Sequence, residues 1–222
     1  MHDAYFHRRH LPLFGTVARG NPKLAELFFA YYGEAFADGA LSARMKSLTA
    51  LAVAHAVQCP YCIDAYTTDS LEKGADLEQM TEAVHIAAWV RGGSVLDYGA
   101  MMTAQAGQST GVPGPPNADA YFSRGHGPAQ ARLAQGPFAT WEAAVKEEGE
   151  LEPIEKATIA VAVAHVLQNP YGIERATAWA SDEGASVEQL TEAVHVGVAI
   201  RGGAALVHAV QMLEQLDQRG MA

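Results

Sequence analysis

"HAVQCPYCIDAYT", residues His55 to Thr67, and "HVLQNPYGIERAT", residues His165 to Thr177, are one segment written twice. Cys59 corresponds to Asn169, 110 positions further on, and at that offset residues 52–94 align with 162–204 without a gap. The shared words are AVAH, PY, TEAVH and RGG. A second echo lies upstream. DAYF at Asp3–Phe6 returns at Asp119–Phe122, each followed by an Arg and a His, Arg8 and His10 against Arg124 and His126. A repeat at a fixed period decides architecture first, because each copy must fold in the same way. The chain divides into a first repeat, 1–103, a Gly- and Pro-rich linker, 104–117, and a second repeat, 118–222.

Each copy reads as helices. "NPKLAELFFAYYGEAFADG" opens with Asn21 as cap and Pro22 at the first helical position, and stops at Gly39. "LSARMKSLTALAVAHAVQ" offers Ser42 as cap, and Met45, Leu48, Leu51, Ala52 and Ala56 recur at helical spacing. "CPYCIDAYTTDSLEKG" places Cys59 at the cap, Pro60 in the first turn and Gly74 at the stop. The next segment opens with Asp76 and Gln79 at capping-box spacing, matched by Ser186 and Gln189 in the second copy. No stretch alternates as a strand does. The expectation is an all-α chain of two similar helical lobes.

Composition narrows the function. With 49% hydrophobic and 18% charged residues the chain is a folded globular one. A net charge of −10 excludes a basic nucleic-acid surface and an acidic-lipid surface. The N-terminus lacks a signal-peptide apolar region, and no run of eighteen apolar residues appears, so the expectation is a cytoplasmic chain without a membrane span. Thiols are kept reduced there, which makes two cysteines at Cys-x-x-Cys spacing chemical rather than structural.

Pro60 starts a helix, so Cys59 and Cys62 sit by unpaired backbone N–H groups at its positive end. That stabilises thiolate and activates sulfur toward peroxides and disulfides, with the neighbour one turn away resolving the product as a disulfide. The dipole alone favours Cys59 as the more acidic thiol. Half of a zinc site is the first alternative, but no second Cys pair exists. Inert core cysteines are the second. No Gly-rich nucleotide fingerprint appears, so no nicotinamide or flavin site is indicated, and the expectation is a chain without a cofactor or a metal.

"LTALAVAHAVQCPYCIDAYT" resembles the core motif of the alkyl hydroperoxidase D and carboxymuconolactone decarboxylase family, over both repeats. "AVAHAVQCPYCIDAYT" and "EQMTEAVH" are most similar to its arsenosugar-biosynthesis-associated peroxidase-like subgroup, which carries a single repeat. The resemblance implies an all-helical fold, oligomers built from packed repeats, and peroxide reduction with Cys62 attacking and Cys59 resolving. The family's proton relay uses a Glu twelve residues before the first cysteine and a His four after the second. Ser47 and Tyr66 stand there instead. A Tyr hydroxyl is a poorer base at neutral pH. Nearby Arg44 and Lys46 read as solvated charges.

The two copies can be set against each other. His55 lies one turn before Cys59 and is a candidate base, yet its twin His165 persists without a cysteine, which favours packing. His85 and His195 read as structural. The RGG glycines, Arg91–Gly93 and Arg201–Gly203, point to close helix approach, with each Arg paired to a carboxylate, or else binding an anion. Cys59, Cys62, Tyr66 and Trp89 belong to the first copy alone. His208 stands where the first copy has Tyr98 and is a candidate loan to a composite site.

The leading expectation is a thiol-dependent, peroxidase-like oxidoreductase. It would act on a hydroperoxide or related oxidised small molecule through Cys62 and Cys59, with His55 and Tyr66 as candidate acid–base groups and a dithiol as electron donor. A non-catalytic dithiol binder of arsenic or another soft metal is one alternative, and a lyase or decarboxylase of the family another. The repeat predicts a homotrimer, a pseudo-hexamer of repeats.

Overall fold

The computed structural model describes residues 6–105, 136–147 and 149–221. The linker and the second DAYF echo lie outside them. Among the described residues regular structure is helical throughout. A 3-10 segment, Arg8–Arg19, precedes α1 (Pro22–Phe36), α2 (Ala43–Ala56), α3 (Pro60–Glu72) and α4 (Leu77–Gln105). The second copy supplies α5 (Pro137–Lys146), α6 (Pro153–Val166), α7 (Pro170–Asp182), α8 (Val187–Val207) and α9 (Ala209–Gln218).

The caps stand where the sequence places them. Asn21 Oδ1 accepts the Leu24 N–H at 3.1 Å, Ser42 Oγ that of Met45 at 3.2 Å, and Asp76 Oδ1 that of Gln79 at 2.8 Å. Ser186 and Gln189 close a reciprocal box. Each such cap is worth about 1 kcal/mol. Gly74 and Gly184 both turn the chain at φ +82°, a left-handed conformation that only glycine adopts without strain.

The core is built on α2 and α6. From Met45 to Ala54 and from Lys156 to Ala164 every residue is buried, so neither helix has a solvent face. Their alanines let the two helices pack on each other, with α4 and α8 completing the centre and α3 and α7 flanking it. The region Val187–Gln218 is long and apolar enough by composition to cross a membrane. Its helix α8 packs against α6, α2 and α1, and half of that apolar window is buried in the fold.

The two copies exchange their first helices. Helix α1 lies on α8, and α5 lies on α4. This explains the RGG glycines. A Cβ on Gly202 would come within 3.3 Å of the Phe28 ring, and one on Gly92 would sit 3.6 Å from Phe138. The expected Arg–carboxylate pair is not what forms at Arg91. Its guanidinium instead donates to the Ala56 carbonyl at 2.8 Å, closing the end of α2.

Two matched buckles fasten the exchange. Glu192 accepts the N–H groups of Ala40 and Leu41 and pairs with Lys46 at 3.0 Å. Glu82 does the same for Glu150, Leu151 and Lys156. Lys46 is therefore no solvated charge. Its side chain is 3% exposed, and it also donates to the Ala37 carbonyl at 2.6 Å. Arg44 likewise pairs with Glu155 across α2 and α6 at 2.5 Å.

Candidate functional site

The site begins at a tight helix-to-helix turn. The Gln58 N–H reaches the His55 carbonyl at 3.2 Å, and the Cys59 N–H reaches that of Ala54 at 3.1 Å, the paired bonds of a Schellman end. Gln58 holds φ +56° in the position glycine usually takes. The next residue, Cys59, is already the cap of α3, and its sulfur accepts the Cys62 N–H at 3.2 Å. The second copy repeats the turn with Gln168 at φ +55°, so the strain belongs to the turn and not to sulfur chemistry. Cys59 and Cys62 are joined in a disulfide, their Cα atoms 5.3 Å apart.

The two cysteines line different cavities. Cys62 lies in an apolar one of about 100 Å³, walled by Leu11 and Phe14 of the 3-10 segment, Tyr32 of α1, and Ile200 and Val207 of α8. Cys59 lines a larger one of about 440 Å³, in which Arg201 and His208 stand among aliphatic side chains. Each cavity draws walls from both repeats.

Tyr66 shares the Cys62 cavity, one helical turn further along α3. Its hydroxyl is hydrogen-bonded to that of Tyr32. Burial pushes the Tyr32 pKa up, and the nearby Asp69 charge adds to it, so Tyr32 keeps its proton. Asp69 accepts from Ser47 Oγ at 2.7 Å and from Lys73 Nζ at 2.7 Å. Ser47 itself is fully buried and also meets Ser70 Oγ at 2.9 Å. The position where the resemblance leads one to seek a Glu is thus occupied by a serine holding a carboxylate from α3. Sequence reading overlooked Asp69 and Tyr32. Asp69 was visible at i+7 from Cys62, on the face that carries Tyr66.

His55 does not join this set. Its Nδ1 is bonded to the Leu51 carbonyl at 3.0 Å, and the twin His165 bonds Val161 at 2.8 Å. His85 and His195 each meet the first helix of the other copy, through Trp141 at 3.4 Å and Tyr31 at 2.8 Å. Trp89 packs edge-on against Trp179, with Lys146 above both rings. His208 reaches the Cys59 cavity and stands edge-on to Tyr61 at 5.2 Å. Burial lowers its pKa, so the imidazole is neutral at pH 7.

Tyr61, inside the Cys-Pro-Tyr-Cys turn, is held at its hydroxyl by His10 and Gln211, both at 2.9 Å. His10 Nε2 contacts Glu214 at 3.2 Å, close enough for an ion pair but not aligned as a hydrogen bond. Arg19 and Asp217 pair further out. These contacts seat the 3-10 segment over the Cys62 cavity.

The second copy has filled the equivalent space. Ala65 and Val207 of the cavity correspond to Arg175 and Asp97. Arg175 makes a two-pronged pair with Asp97 at 2.6 and 2.8 Å, and Asn169, in the place of Cys59, donates to Asp97 at 2.5 Å and to Ser94 at 3.0 Å. Tyr32, Ser47, Cys62, Tyr66 and Asp69 become Glu142, Ala157, Gly172, Ala176 and Trp179. Both cysteines, and the Tyr32, Ser47, Tyr66 and Asp69 set beside them, belong to the first copy.

Residues 22–104 and 131–215 each match the profile of the carboxymuconolactone decarboxylase family. A Paracoccus denitrificans protein described as uncharacterized protein 4 in the cox locus is 41% identical over 80 residues, 36% of this chain and 72% of that protein. The crystal structure of a putative gamma-carboxymuconolactone decarboxylase subunit from Burkholderia xenovorans superposes with a TM-score of 0.68 over 96% of both chains, at 18% identity. That likeness is one of fold.

Proposed function

The chain belongs to the carboxymuconolactone decarboxylase family, and from that premise we propose that it is a thiol-dependent oxidoreductase reducing small apolar hydroperoxides through Cys62 and Cys59. The observation that carries this reading is the Cys62 cavity. The Cys62 position lies against apolar walls that include Tyr32, Tyr61 and Tyr66 and, among the described residues, no cationic side chain. A decarboxylase acting on a carboxylated lactone needs a cation there to hold the acid group, because a buried carboxylate without a partner is costly. An alkyl hydroperoxide needs only apolar room and a proton donor.

The Cys62 thiolate attacks the terminal peroxide oxygen, the O–O bond breaks, and the sulfur becomes sulfenic acid. The departing alkoxide takes a proton from Tyr66, which regains one from the Cys59 thiol as that thiol ionises. Tyr32, which keeps its own proton, supports Tyr66 by hydrogen bond. The Cys59 thiolate then attacks the Cys62 sulfur, hydroxide leaves and is protonated to water, and the disulfide forms. Two electrons from a thiol donor restore the pair.

The test is hydroperoxide consumption with a dithiol donor, wild type against Cys62→Ser. Turnover should vanish in the variant. Undiminished consumption, or stoichiometric binding of trivalent arsenic without any turnover in the wild type, would overturn the reading. Decarboxylation of gamma-carboxymuconolactone independent of either cysteine would replace it with the lyase reading.

A further inference from the structure

The Cys59 cavity is the larger of the two and has no part in the hydroperoxide half-reaction. It lies where the C-terminal ends of α2 and α6 meet, with Val57 and Leu167 on its walls and Arg201 and His208 contributed by α8 and its end. The residues that line this space and their counterparts in the other copy are held differently. Arg91 is tied to the Ala56 carbonyl, whereas among the described residues its twin Arg201 has no hydrogen-bond or ion-pair partner and is exposed. Tyr98, the twin of His208, leans toward the Gln168 carbonyl at 3.5 Å, and the twin of Cys59 is locked into the Asp97 cluster.

We infer that this second cavity is the reductant site, taking a thiol on a short alkyl chain that ends in a carboxylate, held by Arg201 while its sulfur meets Cys59. The inference rests on the dithiol reading above. An unpaired guanidinium presents a fork of N–H donors that matches a carboxylate. Val57 and Leu167 suit the alkyl chain, and the His208 imidazole, whose pKa burial lowers, shares the wall with them. Cys59 is 1% exposed, so its sulfur is reached only by what the cavity admits.

The exchange balances without an outside oxidant. The donor thiolate attacks Cys59 Sγ, the Cys59–Cys62 bond breaks, and Cys62 leaves as thiolate. A second donor thiolate attacks the mixed disulfide and frees Cys59. Two thiols lose two electrons and become one disulfide, and the protein pair gains them. The substrate enters on the Cys62 side and the reductant on the Cys59 side, so neither must leave before the other arrives.

The test uses the oxidised full chain and no hydroperoxide, so it is independent of the peroxidase reading. The rate of disulfide reduction by 3-mercaptopropionate is compared with that by its uncharged amide, each normalised to its thiolate concentration. Wild type should favour the acid by about tenfold, the scale of one charge-assisted anchor, measured at about 0.15 M salt to suppress the long-range repulsion of an acidic protein. Arg201→Gln should bring that ratio to about one and Arg201→Lys should restore part of it. A wild-type ratio near one, or a ratio that survives Arg201→Gln, overturns the proposal. A second measurement fixes the side. The symmetrical disulfide of 3-mercaptopropionate should label Cys59 in Cys62→Ser with the same dependence on Arg201, and should label Cys62 in Cys59→Ser without it. Arg201-dependent labelling of Cys62 instead would refute attack at Cys59.

Discussion

The filled space in the second copy yields a quantitative prediction. Asp97 is 2% exposed and its carboxylate accepts from Arg175 twice and from Asn169 once. Arg175→Ala leaves that carboxylate buried with one donor. Breaking a buried pair from one side costs roughly 3–5 kcal/mol, and the low end applies because the Arg175 side chain is 34% exposed and water reaches the pair. Asp97→Val is milder, roughly 1–2 kcal/mol, since the guanidinium can turn to water and Asn169 keeps Ser94. The double variant installs the residues that the first copy carries, Ala65 and Val207, and removes both charges at once. What remains is an unfilled cavity. If it equals the first copy's cavity of about 100 Å³, it costs about 2 kcal/mol. The double variant should therefore lie about 2 kcal/mol below wild type, not the roughly 4–5 of the summed singles, a coupling of about 2–3 kcal/mol. Urea unfolding followed by helical circular dichroism measures all four corners. Additive singles would refute the plug. A fall in hydroperoxide turnover of the folded double variant would refute it differently, by giving the cluster a part in the chemistry.

Glu82 and Glu192 should make the fold acid-sensitive. Burial pushes each carboxyl up, but the Lys and backbone N–H bonds outweigh it and hold the folded pKa below the ordinary 4.5. A depressed pKa contributes stability above the unfolded value that is lost as pH falls through the folded one, so Glu82→Gln and Glu192→Gln should flatten thermal stability below about pH 4.5. Tyr66→Phe should lower hydroperoxide turnover by about ten- to a hundredfold, the low range for a positioned proton donor, and Tyr66→His should retain more of it, as a steady-state assay of both will show. His55→Gln and His165→Gln should lose equal stability, about 1 kcal/mol each, because each breaks the same backbone bond; turnover lost only in the first would make His55 the base. Light scattering should report three times the 23.6 kDa chain mass, and a monomer would end the trimer expectation.

What the sequence disclosed was local. The repeat, the caps at Asn21, Ser42 and Ser186, the Cys59 start of α3 and the stop at Gly74 depend on neighbours within a turn or two. The partners of Lys46 did not, because Glu192 arrives from 146 positions away and only the exchange of first helices brings it there. Arg91 misled for a related reason. A charge beside two glycines suggests an ion pair, yet the carbonyls at the end of α2 were the unsatisfied groups within reach. His10 was visible as part of the DAYF echo, but its partner was not, since the link to Tyr61 spans two elements with no shared pattern. The substitutions Ala65 against Arg175 and Val207 against Asp97 could be read from the aligned copies, but their meaning could not. Nothing in the sequence says that position 207 of the second repeat walls the cavity of the first.

That crossing of walls ties the surroundings of one cysteine pair to both repeats of a chain that carries its segment twice. Cys62 is supplied by the first repeat, but Ile200, Gly203 and Val207 come from the second, and α8 also holds α1, which delivers Tyr32. The reverse geometry around Asn169 draws Asp97 and Ser94 from α4 of the first repeat. Each repeat is therefore a wall for the other's site. Losing both sulfurs from the second copy removes one reaction centre and leaves the wall intact, whereas losing the second copy would strip the remaining dithiol of its cavity and of Arg201 and His208 together. A half-length chain carrying only the first repeat would have to recover those walls from another copy of itself. Within one chain each repeat has a fixed partner, so positions 65 and 175 need not match: Ala65 lines an open cavity in one copy and Arg175 makes an ion pair in the other.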